Sequence, residues 1–470
     1  MGGAGRRPNV LLVCADDLNG WIGALGRHPG ARTPHIDGLA AEGAHFTHAY
    51  CTAPHCNPSR MSVFTGLRPT TTGIYHAETL TTHAEVSPAT LPEVMRASGY
   101  HTFGTGKVFH GHYDYATAAR TLDTHARWLD THNDPGLWDE FHAIEDEPLP
   151  PGRPLNGMDD PPADERELHW YSHFDWGAWP SPDDATLPDE RVCARAEAFL
   201  ERGHERPFLC AVGFYRPHLP WYVPAAYFDA HPLEAVRLPP VREDDLEDVP
   251  EIARRWALEP PDHPRILRHD QWRHAVRGYL AASTFCDALV GRLLGALERS
   301  GRDRDTLVVV FGDNGFHLGE KLHWRKFTLW EEATRVPLVM RWPGSGGARR
   351  FDRPVSLLDL FPTLVELCGL DAPPGLEGES LAAGLLGTGA PARGAALSTW
   401  GAGNHSVRTD RWRYTRYADG SDELYDHAVD PYEWTNLAGR SASVERVREL
   451  APHLDALERD EAGRAKAAAG

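Results

Sequence analysis

Two apolar runs stop abruptly on oxygen-bearing side chains. Asn9–Ala15 (NVLLVCA) gives way to Asp16 and Asp17, and Thr306–Gly312 (TLVVVFG) to Asp313 and Asn314, with Gly315 supplying a tight turn. Adjacent carboxylates repel unless a cation neutralises them, and oxygen donors without sulfur or imidazole suit a hard divalent ion, calcium or magnesium, better than zinc. A solvated strand end is the plain reading of either pair alone, and recurrence of the pattern brings a metal site level with it. The segment CNPSRMSVFTG, Cys56–Gly66, carries different chemistry. Pro58 and Ser59 favour a helix beginning after Cys56, at whose positive end anions are stabilised, and Arg60 adds a cation with a fork of donors. By residue type alone, Cys56 is either a thiolate nucleophile or a small buried residue.

The run Cys56-Asn57-Pro58-Ser59-Arg60, followed by Thr65-Gly66, resembles the CxPSR-x4-TG signature of type I sulfatases, members of the alkaline-phosphatase-like superfamily. The likeness extends from about Asn9 to Asn436 and is nearest to the iduronate-2-sulfatase-like branch. It implies that a formylglycine-generating enzyme oxidises Cys56 to Cα-formylglycine, whose hydrated aldehyde is the nucleophile. It also implies that Asp16, Asp17, Asp313 and Asn314 ligate a metal, usually calcium, and that Arg60 holds the nucleophile's hydroxyl and orders the carboxylates. In GTGKVFH, Lys107 matches a sulfate-binding lysine and His110 the histidine beside formylglycine. In GFYRPHLPW, His218 matches the histidine at the leaving-group oxygen, and in GEKLHWRKFTLWEEATRVP, Lys326 matches a second sulfate-binding lysine. Two departures stand out. The better-known animal members of that branch carry His at the position of Asn314, and His-Gly-Glu where this chain has Lys321-Leu322-His323; the second difference bears on sugar specificity.

The implied reaction begins with attack of one hydroxyl of the hydrate on sulfur, while His218, assisted by Lys326, protonates the departing ester oxygen. His110 then takes the proton of the other hydroxyl, which expels sulfate and restores the aldehyde. Lysines, a metal and a helix start can together clamp the three peripheral sulfate oxygens. Histidine suits proton transfer near neutral pH, but with 26 histidines in the chain the two assignments rest on flanking motifs. Rival readings are a phosphatase, phosphodiesterase or phosphonate monoester hydrolase of the same superfamily, and a non-catalytic protein that holds sulfated glycans. Trp170, Trp176, Trp179 and Trp221, with the HFDWG stretch His173–Gly177, offer either a sugar-facing wall or anchors for their own loops.

The elements that must position these groups alternate. Strand patterns fall at Asn9–Ala15, Pro207–Gly213 and Thr306–Gly312, and helical patterns at Pro34–Glu42, Leu91–Ala97, Asp189–Arg202 and Trp272–Ser300. This order predicts an α/β fold with a large, mostly parallel sheet flanked by helices, which the resemblance makes alkaline-phosphatase-like. Short alternating runs (AALSTW, HSVRTD, WRYTRY, DELYD) predict a smaller C-terminal antiparallel sheet, and the segment after Ala438 a terminal helix. A catalytic domain over 1–370 and a subdomain over 371–470 follow. Gly111–Pro188 and His231–Asp270 lack periodicity and read as long excursions over the sheet edge or the site mouth.

Composition sets outer bounds. The chain's 470 residues, 41% apolar, suffice for a full core. A formal charge of −19 without a basic block argues against nucleic acid and, by repelling long polyanions, favours a small sugar or a chain-end residue; the branch resemblance implies a small sulfated sugar or uronic acid. Seven dispersed cysteines without CxxC suit a reducing compartment, most of them as small core residues. The N-terminal apolar run is too short to span a bilayer and lacks a secretory cleavage pattern, so a cytoplasmic enzyme without membrane attachment is expected. Oligomeric state stays open.

Overall fold

Apolar runs without polar alternation must be covered on both faces, which parallel strands between two helical layers achieve. The computed structural model describes residues 7–76, 89–110, 137–143, 150–161, 171, 173–179, 186–345, 347–389 and 394–469. In chain order the strands are β1 (Asn9–Ala15), β2 (Ala44–Tyr50), β3 (His101–Gly106), β4 (Glu140–His142), β5 (Trp176–Trp179) and β6 (Phe208–Phe214). There follow β7 (Trp221–Pro224), β8 (Thr306–Gly312), β9 (His317–Leu318), β10 (Trp324–Arg325), β11 (Arg335–Arg341), β12 (Arg349–Phe351) and β13 (Val355–Ser356). The last four are β14 (Ala395–Thr399), β15 (His405–Thr409), β16 (Trp412–Arg416) and β17 (Asp422–Asp426). The large sheet has the order β12-β2-β11-β8-β1-β6-β3-β4, with β13 also on β2. Only β11 runs against its neighbours.

Side-chain alternation in β1 divides the core in two. Leu11, Val13 and Ala15 face the layer of the helices Pro34–Glu42, Pro188–Glu201 and Trp272–Arg299. Val10, Leu12 and Cys14 face the layer of Leu91–Ala97, Cys56–Thr65 and Leu360–Leu367. By length and composition Trp272–Arg299 could cross a membrane, but 67% of its most apolar stretch is buried inside the fold, as in a core helix. All seven cysteines are buried free thiols.

The fold is the expected one, with instructive differences. The strand expected at Pro207–Gly213 lies one residue later, at Phe208–Phe214, and three helix termini shift by a residue. β2, β3 and β11 carry no clean apolar run, because His, Thr, Gly or Pro interrupts them (AHFTHAY, HTFGTG, RVPLVMR), yet neighbours cover most of their length. His231–Asp270 is not an aperiodic excursion, since it includes the helices Glu251–Leu258 and Asp262–Arg268. Most of Gly111–Pro188 lies outside the described residues.

The small sheet runs β14-β15-β16-β17, antiparallel throughout. Leu450 and Leu454 of the terminal helix Val444–Ala469 pack on Val407, Tyr414 and Leu424. Its first strand docks beside the site: Ser398 Oγ donates to the Cys51 carbonyl (2.6 Å) and Thr399 N to that of Thr52 (2.8 Å). Arg413 of β16 adds buried ion pairs, with Nε 2.5 Å from Glu433 and Nη2 2.6 Å from Glu331.

Candidate active site

Parallel pairing in register sets Ala15 beside Gly312, so the residues after β1 and β8 emerge together at the carboxyl end of the sheet. Alternation would turn Asp16 and Asp17 apart. Asp17 instead adopts a left-handed φ of 62°, held by its N–H on Asp313 Oδ1 (3.0 Å) and by its carbonyl accepting from Tyr279 Oη (2.8 Å). One carboxylate oxygen from each of Asp16, Asp17 and Asp313 thereby falls within 4.8 Å of the others. Asn314 Nδ2 donates to Asp17 Oδ1 (2.7 Å).

Two buried oxygens at this point, Asp16 Oδ1 and Asn314 Oδ1, have no hydrogen-bond partner. Orphaned acceptors among clustered carboxylates are what a hard cation would satisfy, so the four residues fit such an ion. Charge agrees: the three carboxylates face Arg60, Lys107 and Lys326, so a divalent ion would leave a positive surplus suited to an anion.

The helix Cys56–Thr65 begins at Cys56, with His55 as N-cap, and is buried along its length until Gly66 ends it. Lys326 Nζ lies 2.9 Å from Cys56 Sγ and bonds Asp17 Oδ1. One donor atom each of Asp16, Cys56 and His218 lies within 4.8 Å of the others. Lys107 Nζ pairs with Asp16 Oδ2. Arg60 Nε donates to Asp313 Oδ2 (2.7 Å), and its Nη1 to the carbonyls of Lys107 and Val108. His110 is buried, its ring neighbouring His55 at 5.9 Å. The fold thus brings all ten expected residues to one place.

Residues 8–370 match the Sulfatase family, and residues 319–460 match the family described as N-sulphoglucosamine sulphohydrolase, C-terminal. A sulfatase of Formosa agariphila is 35% identical over 467 residues, covering 96% of this chain and 87% of that protein. The chain belongs to the type I sulfatases. Human iduronate 2-sulfatase is 29% identical, over 78% of this chain and 70% of that protein, and no single branch of the family stands out as closest. The phosphonate monoester hydrolase of Agrobacterium radiobacter shares the fold of this sulfatase, with a TM-score of 0.75 at 24% identity over 97% of this chain and 96% of that one.

Burial governs the site's electrostatics. It opposes ionisation of Asp16, but Lys107, His218 and Arg60 hold that carboxyl well below the usual range. For Asp17 burial prevails over Lys326 and pushes the carboxyl up to about 6. Burial likewise raises the Cys56 thiol and drives His110 and His218 well below the ordinary histidine value, with nearby lysines adding to the histidine shifts. His218 Nδ1 lies 2.5 Å from the Leu219 carbonyl, so that nitrogen carries the proton and Nε2 faces the site.

Residues to which the sequence assigned no part in positioning the catalytic groups hold this sulfatase's site in shape. Asp189 accepts from the N–H groups of Tyr215 (2.7 Å) and Arg216 (2.9 Å), and Trp221 Nε1 donates to the Pro217 carbonyl (2.7 Å), fixing the His218 turn. Their signal in the sequence is only one carboxylate among 67 acidic residues and one of 15 tryptophans. Two residues of the Lys321-Leu322-His323 departure, Lys321 and His323, are buried rather than exposed to a substrate. Lys321 is buried on Asp245 (2.7 Å), and His323 sets its ring nitrogens 2.9 Å from the Ala257 carbonyl and 2.7 Å from that of Lys326, bracing the Lys326 turn. The tryptophan wall is overturned as well: Trp176, Trp179 and Trp221 are at most 7% exposed and pack in the core, while Trp170 lies outside the described residues. Within HFDWG, Asp175 accepts from Tyr222 Oη and from the N–H groups of Leu155 and Asn156, which anchors loops.

Proposed function

We propose that this sulfatase hydrolyses the sulfate monoester of a small sulfated sugar or uronic acid, with formylglycine at position 56 as nucleophile. The cation is calcium before magnesium, held by Asp16, Asp17, Asp313 and Asn314. The observation that carries the reading is Cys56 Sγ at the start of a buried helix, 2.9 Å from Lys326 Nζ and grouped with Asp16 and His218. Sγ stands in for a hydroxyl of the hydrated aldehyde. The name of the human relative, iduronate 2-sulfatase, supports the sugar class.

When bound, the cation supplies positive charge that stabilises a hydroxyl nucleophile and the sulfate oxygens. The chain's own groups do the rest. Lys107 and Lys326 grip peripheral sulfate oxygens, and neither ammonium can drift because each sits on a buried carboxylate. Arg60 fixes Asp313 and the Lys107 backbone. His218 keeps one proton on Nδ1 for Leu219, so it serves as acid only as the imidazolium, a form its buried ring takes up once the anionic ester is bound beside it, and it gives the Nε2 proton to the ester oxygen as the S–O bond breaks. His110 accepts the proton of the remaining hydroxyl, and the aldehyde returns as sulfate departs.

Mass spectrometry of the peptide containing residue 56, with assays of free sulfate from defined sulfated mono- and disaccharides, tests the reading. Formylglycine with sugar-sulfate turnover is the expected result. Full activity with an unmodified thiol would overturn the mechanism, and faster hydrolysis of the matching phosphate or phosphonate esters would overturn the substrate class.

A further inference from the structure

The floor of the site is closed. Asp16, Asp17, Arg60, Lys107 and Asp313 are each at most 2% exposed, so an ester reaches Cys56 only past the half-buried side chains above them. On one side stand Tyr215 and His218, with rings 4.6 Å apart. On the other, His55 meets Phe327 at 5.3 Å and Trp400 at 5.7 Å, and Phe327 meets Trp400 at 5.2 Å with planes 32° apart. His76 closes the group edge-on to Trp400 at 4.8 Å. His55, Phe327 and Trp400 are half-buried and His76 is exposed.

These rings are tied to the reacting centre by the chain itself. His55 precedes Cys56, and Phe327 follows Lys326, whose Nζ lies between Cys56 Sγ (2.9 Å) and the Phe327 ring (5.8 Å from its centroid). Phe327 holds a left-handed φ of 73°, unusual for an aromatic residue, with its N–H on the Pro54 carbonyl (3.2 Å). Trp400 follows β14, the strand that Ser398 and Thr399 bond to Cys51 and Thr52, so the small sheet delivers it to the mouth.

We propose that Phe327 and Trp400, with His55 behind them, are the specificity-determining wall against which the ring of the sulfated alcohol stacks. In-line displacement sends the leaving group away from Cys56, and the closed floor leaves only the mouth for it. Aromatic faces there favour a flat, ring-borne leaving group over a flexible chain, whether its face is the C–H side of a pyranose or an aryl ring. The inference rests on the sulfatase reading and adds what the site selects in the leaving group, a ring rather than a flexible chain.

Binding to Cys56→Ala protein tests the wall without turnover. Calorimetric Kd values for a pyranose sulfate, phenyl sulfate and n-hexyl sulfate are compared with and without Trp400→Leu, and again with Phe327→Leu in case one variant folds poorly. Each leucine change should weaken a ring sulfate roughly 2- to 12-fold, the range for one aromatic stacking partner, and hexyl sulfate less, since leucine keeps an apolar surface. The larger loss identifies pyranose or aryl as the ring that stacks. Equal losses for ring and chain, or none in either variant, would overturn the wall while leaving turnover by the unmutated enzyme to support the sulfatase reading. Failure of every sulfate ester to bind would overturn both.

Discussion

Replacing Gly213 by alanine reaches the site through its backbone. Gly213 of β6 pairs with Gly106 of β3, immediately before Lys107, whose N–H donates to the Gly213 carbonyl (2.8 Å). A Cβ on residue 213 would lie 1.8 Å from the Lys107 carbonyl oxygen and 2.6 Å from Val108 N. Both obstacles are backbone, so no rotamer change relieves them, and even a 3.0 Å separation requires that carbonyl to retreat by about 1.2 Å. The same carbonyl accepts from Arg60 Nη1, so the retreat disturbs together Lys107, proposed above to grip sulfate, and the arginine that bonds Asp313. A misplacement of about 1 Å is worth ~10²-fold in rate, and overpacking typically costs about 1–3 kcal/mol, less than the ~5–15 kcal/mol stability of most domains. Gly213→Ala should therefore stay folded and lose about 10²-fold in kcat/KM. The assay is hydrolysis of an aryl sulfate, normalised to formylglycine content, alongside circular dichroism and melting. Gly203→Ala, where a Cβ meets nothing within 4 Å, is the control. A folded Gly213→Ala enzyme with unchanged kcat/KM would refute the claim that this crossing of strands sets Lys107.

Other outcomes follow from the same geometry. Rigorous chelation should abolish turnover and calcium should restore it; Asp313→Asn should weaken metal binding in direct metal analysis with a near-normal melt. Asp313→Ala should also lower the melting temperature, because Asp313 is fully buried and its loss leaves the buried Arg60 Nε without its carboxylate, an effect of about 3–5 kcal/mol for a broken buried pair. His218→Ala should lose more rate on sugar or alkyl sulfates than on nitrophenyl sulfate, within the ~10²- to 10⁴-fold typical of general acid catalysis; equal losses across a graded leaving-group series would remove the acid role. Burial opposes ionisation of Glu433, but Arg413 and His427 bring it from 4.5 down to about 2. A depressed folded pKa gives stability that is complete above 4.5 and lost as pH falls toward 2, so Glu433→Gln should flatten the acid limb of melting temperature against pH, and an unaltered limb would show that Glu433 is not its source.

What the chain alone determined is local. Apolar runs ending in Asp16-Asp17 and Asp313-Asn314, the CNPSR helix start and the alternation of strands with helices sufficed for the α/β class and for Asp16, Asp17, Asp313, Asn314, Cys56 and Arg60 as candidates, because periodicity and end-of-element chemistry are written in neighbouring residues; Lys107, His110, His218 and Lys326 came only through the resemblance to sulfatases. The tertiary structure decided which distant residues share a space. Cys56 and Lys326 lie 270 positions apart and meet only through the folded arrangement, and Asp16 and Asp17 converge only because Asp313 and Tyr279 hold Asp17 at φ 62°. β2, β3 and β11 escaped notice because neighbours bury their histidines, threonines and glycines, a property of the sheet and not of the run. The aromatic residues make the same point: tryptophans suited by type to face a sugar fill the core, while Trp400, from the far end of the chain, reaches the mouth because β14 docks beside the loop before Cys56. Residue type sets what a side chain can do; burial, which no single segment specifies, decides whether it faces a ligand or the interior.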